Sequence, residues 1–200
     1  MWAVILVIGL TILLVLALNS REKFSNVNPD IKRCPRASME SRRLWREHVY
    51  LTRIFLVKYL DDLPDVNDSL VVLLRNQEDI GEFINLFAPG TQDITTALLK
   101  EHISGAGEIL KNAKEGKDLG PSVAKWYDNA SVISKTLAPV LNLDQTQLDK
   151  MMRDHLQTTL DEAQAHISGN VEGEERAYCE VIKHILVIAD YLVSRVPCKC

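Results

Sequence analysis

Four cysteines in 200 residues are too few for a disulfide scaffold, and Cys34, Cys179, Cys198 and Cys200 lie toward the chain's ends. The terminal Cys-Lys-Cys has no second pair, so it is not a zinc spacing. Free thiols and a disulfide from Cys34 to Cys198 or Cys200 both stay open, the second in an oxidising compartment. Period-two alternation between strand-like turns is missing, which argues against a sheet. Also missing are a Gly-x-Ser-x-Gly elbow, a phosphate loop, a dinucleotide fingerprint and a His-Glu-x-x-His motif. No catalytic residue is assigned, and the reading leans away from an enzyme. A basic globule is lacking too. Residues 20–46 carry eight basic and three acidic side chains, so the remainder holds −9 of the net −4. An acidic folded part excludes nucleic acid as its partner.

Charge is wholly absent from Met1 to Leu18, as is proline. Eighteen helical residues span about 27 Å, close to a bilayer's hydrocarbon thickness. Only Met1 and Trp2 precede the apolar run and Asn19 follows it, a poor match to a cleaved signal peptide. The expectation is a transmembrane anchor, residues 1–18, with Trp2, Leu6 and Leu14 among its lipid-facing side chains. Positive charges follow the run, which places the C-terminal part in the cytosol or inside a virion membrane. The basic residues 19–38, with two prolines and no apolar period, read as a linker that sets topology and can touch anionic headgroups.

Beyond the linker, helical periodicity dominates. Six helices are expected at about 39–61, 66–87, 92–115, 121–138, 144–167 and 173–196, with a cysteine-containing tail at 197–200. Pro121 suits a first helical turn and Asp144 an N-cap. The segments repeat. Arg46-Glu47-His48-Val49 recurs as Lys100-Glu101-His102-Ile103 and as Arg153-Asp154-His155-Leu156, at spacings of 54 and 53 residues. Asn76, Ile80 and Ile84 align with Asn129, Ile133 and Leu137, then with His184, Ile188 and Leu192. The fold class is therefore all-α: three pseudo-repeated helical hairpins in one bundle spanning 39–196, plus the N-terminal anchor. No hairpin buries its apolar face alone, so the three pack together.

Residues three, four and seven apart share a helix face. His48 lies with Leu44, Trp45, Leu51 and Phe55, and His102 with Leu98, Leu99, Gly105, Ala106 and Ile109. His184 lies with Val181, Val187, Ile188 and Tyr191, and His155 with Met151, Met152, Thr158 and Thr159. Four histidines thus point inward, while His166 falls outside the pattern and is expected at the surface. Convergent imidazoles are candidate ligands for a transition metal or small molecule, supported by Asn76 and Asn129. Against that, Glu47, Glu101 and Asp154 lie about 100° around the helix from their histidines. The Glu-x-x-His signature of di-iron bundles is absent, with Trp45, Leu99, Met152 and Val181 at the required positions. The plainer role is structural: each imidazole satisfies a buried polar group and fixes helix register. Trp126 and Tyr127 read as core, and Gln77-Glu78-Asp79-Ile80-Gly81 as a solvated face with one internal glycine.

From about residue 44 to 193 the chain resembles a family of uncharacterised, mostly bacterial helical-bundle proteins. The resemblance is carried by Arg46-Glu47-His48-Val49 with Thr52-Arg53, by Asn76-Gln77-Glu78-Asp79-Ile80-Gly81 and by Trp126-Tyr127-Asp128-Asn129-Ala130. His155-Leu156 with Thr158, and His184-Ile185-Leu186 with Ala189-Asp190, complete it. The family's pattern has tryptophan at Leu51 and aspartate at Cys179. The second departure removes a carboxylate from near His184. The resemblance implies the helical fold and the inward histidines, and no activity. The resulting expectation is a membrane-anchored binding or structural module with a protein partner, or a component of a viral particle. The alternative is a ligand-binding protein that uses His48, His102, His155 and His184.

Overall fold

Apolar stripes at helical spacing, broken by proline, glycine and aspartate, fold as six α-helices; the structure, a computed structural model, describes residues 34–196. They are α1 (Pro35–Leu60), α2 (Val66–Asn85), α3 (Gln92–Lys114), α4 (Gly120–Val140), α5 (Gln145–Ile167) and α6 (Val171–Leu192), with no strand among the described residues. None of these helices is long and apolar enough to cross a membrane. The anchor expected at 1–18, including Trp2, Leu6 and Leu14, lies outside the described residues, as do Cys198, Cys200 and most of the linker.

The boundaries differ from expectation where chain chemistry is permissive. Helix α1 begins at Pro35 rather than near 39, because a proline in the first turn has no orphan N–H and a pre-set φ. Ala37 and Ser38, read as linker, are therefore buried against the bundle. Helix α4 runs through Pro139 for a residue, since a proline in the last turn disturbs little of the ladder. Asp144 does cap α5: its carboxylate accepts the Gln147 N–H at 2.7 Å.

Each helix packs on its sequence neighbours, and α6 returns to α1 and closes a ring. Helix α1 also touches α3 and α5 across the middle. At one end Lys114, closing α3, donates to the α1 carbonyls of Tyr59 and Leu60, and His166, closing α5, reaches Asp61 after α1. The C-termini of α1, α3 and α5 thus gather together: these three run parallel on the inside, and α2, α4 and α6 run against them. The sequence repeat becomes a pseudo-threefold arrangement of hairpins. Val49, Ile103 and Leu156 are buried at equivalent places, as are Ile80, Ile133 and Ile188. Each such side chain, taken out of water, contributes about 2 kcal/mol of burial free energy.

Candidate functional site

The three inner helices each bring one histidine to the interior. His48, His102 and His155 are 3%, 4% and 4% exposed. The rings of His48 and His155 lie 6.0 Å apart, centre to centre, at 53°. His102 stacks on Trp126 at 5.0 Å and 25°. Gly105 permits this approach: a Cβ there would lie 2.8 Å from Trp126 Cδ1. The indole N–H then donates to the His102 carbonyl at 2.9 Å. The small residues beside His102 therefore accommodate a tryptophan.

The amides follow the repeat. Asn76 Nδ2 donates to the Leu44 carbonyl and Asn129 Nδ2 to the Leu98 carbonyl, both at 3.2 Å and one turn before the histidine. Asn129 Oδ1 then faces His102 Nδ1 at 3.1 Å. Because that oxygen only accepts, the network assigns the proton to Nδ1, leaving His102 Nε2 with a bare lone pair. The first hairpin is wired differently. Gln77 Nε2 donates to the Leu73 carbonyl at 2.9 Å and to Asn76 Oδ1 at 3.0 Å, and lies 3.3 Å from His48 Nδ1. Both hydrogens of that amide are taken by the two oxygens, so either tautomer of His48 fits this contact. Asn76 reaches its histidine only through Gln77, a residue read from the sequence as solvated but fully buried here. Gly81, in the same run, also sits in a close helix contact, where a Cβ would overlap Thr96 Oγ1.

The third hairpin departs further. His184 occupies the asparagine position but is only half-buried, on the rim rather than inside, and forms no hydrogen bond among the described residues. His155 Nδ1 is buried without a partner. So of the four inward histidines expected, three form the layer. The difference arises because α6 turns His184 toward the edge of its interface, with Ile185 and Ile188 filling the interior.

Burial dominates the electrostatics of the layer. It lowers His48 to about 3, assisted by repulsion from His102 and opposed by the Gln77 hydrogen bond. It lowers His102 to about 4 against the Asn129 hydrogen bond, and holds His155 well below the usual value, with His48, His102 and His184 adding to the shift. All three imidazoles of the layer are neutral near pH 7. Beneath them lies an apolar cavity of about 30 Å³ among Phe55, Ala106, Ile109, Trp126 and Thr159. Among the described residues no set of three or more His, Cys, Asp or Glu side chains is placed to hold a metal ion.

A second constellation escaped the sequence reading. Arg53 of α1 contacts Glu162 of α5 at 3.0 Å and Glu174 and Glu175 of α6 at 2.9 and 2.7 Å, with its guanidinium 4.5 Å from the Tyr178 ring centre. The Glu162 side chain is only 3% exposed. Burial, aided by Glu174 and Glu175, outweighs the attraction of Arg53 and pushes Glu162 up to about 7. His166, expected at the surface, is half-buried, with Nδ1 3.0 Å from Glu174 and Nε2 3.1 Å from Asp61. Burial disfavours its charged form, but the two carboxylates prevail and raise its pKa. The signal was in the repeat: Glu162 stands where the other hairpins have Phe55 and Ile109.

A surface groove of about 690 Å³ runs along the N-terminal half of α1 beside α6, lined by Met39, Arg42, Arg43, Arg46, Tyr50 and Leu186 with one acid, Glu47. Of the cysteines, Cys34 is half-buried ahead of α1 and Cys179 is exposed on α6. Comparison with protein-family models, curated proteins and solved structures finds no match to the chain.

Proposed function

We propose that the chain is a non-catalytic, membrane-tethered helical module: residues 1–18 hold it in a bilayer, and the bundle serves as a binding or structural body at that surface, in a cell or in a viral particle. The observation that carries the non-catalytic part is the enclosure of the histidine layer. Its imidazoles are neutral and buried, His102 is stacked on Trp126 and held by Asn129, and the cavity among Phe55, Ala106 and Ile109 has an apolar wall. Such a layer specifies helix register, since a one-turn slip would leave several buried polar groups unpaired. The likeness to uncharacterised helical-bundle proteins, resting on the motifs quoted above, agrees with a structural body. The tether is tested by alkaline carbonate treatment of membranes containing the full chain: it stays in the pellet, and release into the supernatant counts against the reading.

A second reading has one observation in its favour, the unpartnered Nδ1 of His155. With the bare Nε2 of His102 it offers two lone pairs to a transition metal. Against it, no set of three or more His, Cys, Asp or Glu side chains among the described residues is placed to hold a metal ion. Elemental analysis of the purified full chain separates the two. The module carries no stoichiometric metal, whereas metal that disappears in His102→Ala favours ligation.

A further inference from the structure

We infer that the α1–α6 groove is the face the bundle lays against anionic lipid headgroups; this rests on the tethered reading and names the surface and the lipid class. Charge and geometry argue for it. From Lys32 to Arg46 the chain has six cations and a single acid, Glu40. The first turn of α1 has no acidic residue, so the positive end of its dipole adds to the same field. Inside the groove, Arg42 is committed to Asp190 by two hydrogen bonds of 2.6 and 2.5 Å. Arg43 is shared between Glu40 and Glu47 on its own exposed helix face, pairs that are weak and open to exchange with a phosphate. Arg46 meets no carboxylate among the described residues.

The rest of the lining suits the depth of headgroups. Met39 is 72% and Tyr50 55% exposed, and Val187, next to Leu186 but outside the lining, is 54% exposed on α6. A tyrosine with arginines and a few apolar side chains is the composition favoured at a membrane–water boundary. The face is also within reach. Sixteen residues, 19–34, separate the uncharged run from α1, a contour of at most about 55 Å. The groove begins at Met39, a single helical turn after Pro35. A bundle tethered there presents this end of α1 to the leaflet first.

The test uses the full chain with its four cysteines replaced by serine and one dye position, Val187→Cys, exposed on α6 next to the groove's Leu186, or Val171→Cys at the far end of α6. Val171 is 71% exposed and lies about 24 Å along the helix from Val187. Each protein is reconstituted into vesicles of phosphatidylcholine alone or enriched in phosphatidylserine, both carrying a nitroxide-headgroup lipid. The dye at 187 is quenched in phosphatidylserine vesicles and recovers in high salt, and the dye at 171 is not quenched. Arg46→Gln lowers the quenched population about fivefold and Arg46→Glu further, as expected for one and two units of charge at a membrane surface. The inference falls if retained chain shows no quenching at 187, or equal quenching without phosphatidylserine. A shift in dye emission without lipid quenching assigns the groove to a second copy or another protein and overturns it equally. Chain recovered away from the vesicles after carbonate removes the tether itself, an outcome distinct from tethered chain with an unquenched groove.

Discussion

Lowering the pH from 7 to about 4.5 unfolds the bundle, because three neutral imidazoles are buried where no carboxylate can receive them as cations. The folded pKa values of His48 and His102, about 3 and about 4, lie below the ordinary 6.5, and that of His155 is also well below it. Their contribution is therefore intact above pH 6.5 and is lost as pH falls beneath it, since the unfolded chain takes up protons the native state refuses. Each group removes about 1.4 kcal/mol per pH unit, so over two units His48 and His102 remove about 6 kcal/mol, and His155 adds to the loss in the same direction. Glu162 works in the opposite sense. Its folded pKa, about 7, lies above 4.5, so acidification toward 4.5 returns about 2.5 kcal/mol. The net, about 3 kcal/mol before the His155 contribution adds to it, is a large share of the roughly 5–15 kcal/mol that holds a typical domain together. Helical ellipticity and tryptophan fluorescence followed from pH 8 to 3.5 test this. An unfolding transition centred near pH 5, with net proton uptake, is expected; a bundle still native at pH 3.5 sinks the argument. The Glu162 penalty accrues between pH 4.5 and about 7, where only the unfolded chain is ionised, and is complete above that, so stability levels off above neutrality.

Arg53→Ala is the most damaging single substitution expected away from the hydrophobic core. It removes the cation shared by Glu162, Glu174 and Glu175 and withdraws the guanidinium from Tyr178. What then destabilises the fold is less the lost attraction than the stranded Glu162 carboxylate, for a loss of about 3–5 kcal/mol. For a domain of this size that lowers Tm on the order of 10 °C. Because Glu162 can escape by protonation, the loss is larger near pH 8 than near pH 6. The double change Arg53→Met with Glu162→Leu costs less than Arg53→Ala alone, as apolar residues of similar volume replace a buried pair at little penalty. Denaturant titrations of the three proteins at both pH values check this, and a double variant as weak as the single one refutes the account.

Both effects depend on features that differ in how visible they were. The histidine layer was legible because its cause is local: an amphipathic period of 3.6 residues and a repeat of 53–54 residues tell which side of each helix is buried and which residues are equivalent. The same rule found Asn76 and Asn129. It misplaced His184, because inward orientation on a helix says nothing about whether the facing helix covers that position. It also missed Gln77, whose polarity and neighbours Glu78 and Asp79 suggest solvent, although it lies on the buried face with Leu73, Asn76 and Ile80. The ion cluster was harder to see. Arg53 and Glu162 are 109 residues apart, and no local period links them; only the intrusion of a carboxylate at an apolar repeat position marked the place.

By itself the sequence determined that the described part is helical, that it is three hairpins of one kind, and that one histidine from each inner helix is buried. Those properties follow from side-chain spacing along a chain whose backbone hydrogen bonds close within four residues. The tertiary structure decided which nitrogen of His102 carries its proton, which histidine lacks a partner, and where a buried carboxylate meets its arginine. Those depend on groups brought together from distant segments at hydrogen-bond distance, and only the packing of the six helices sets such distances.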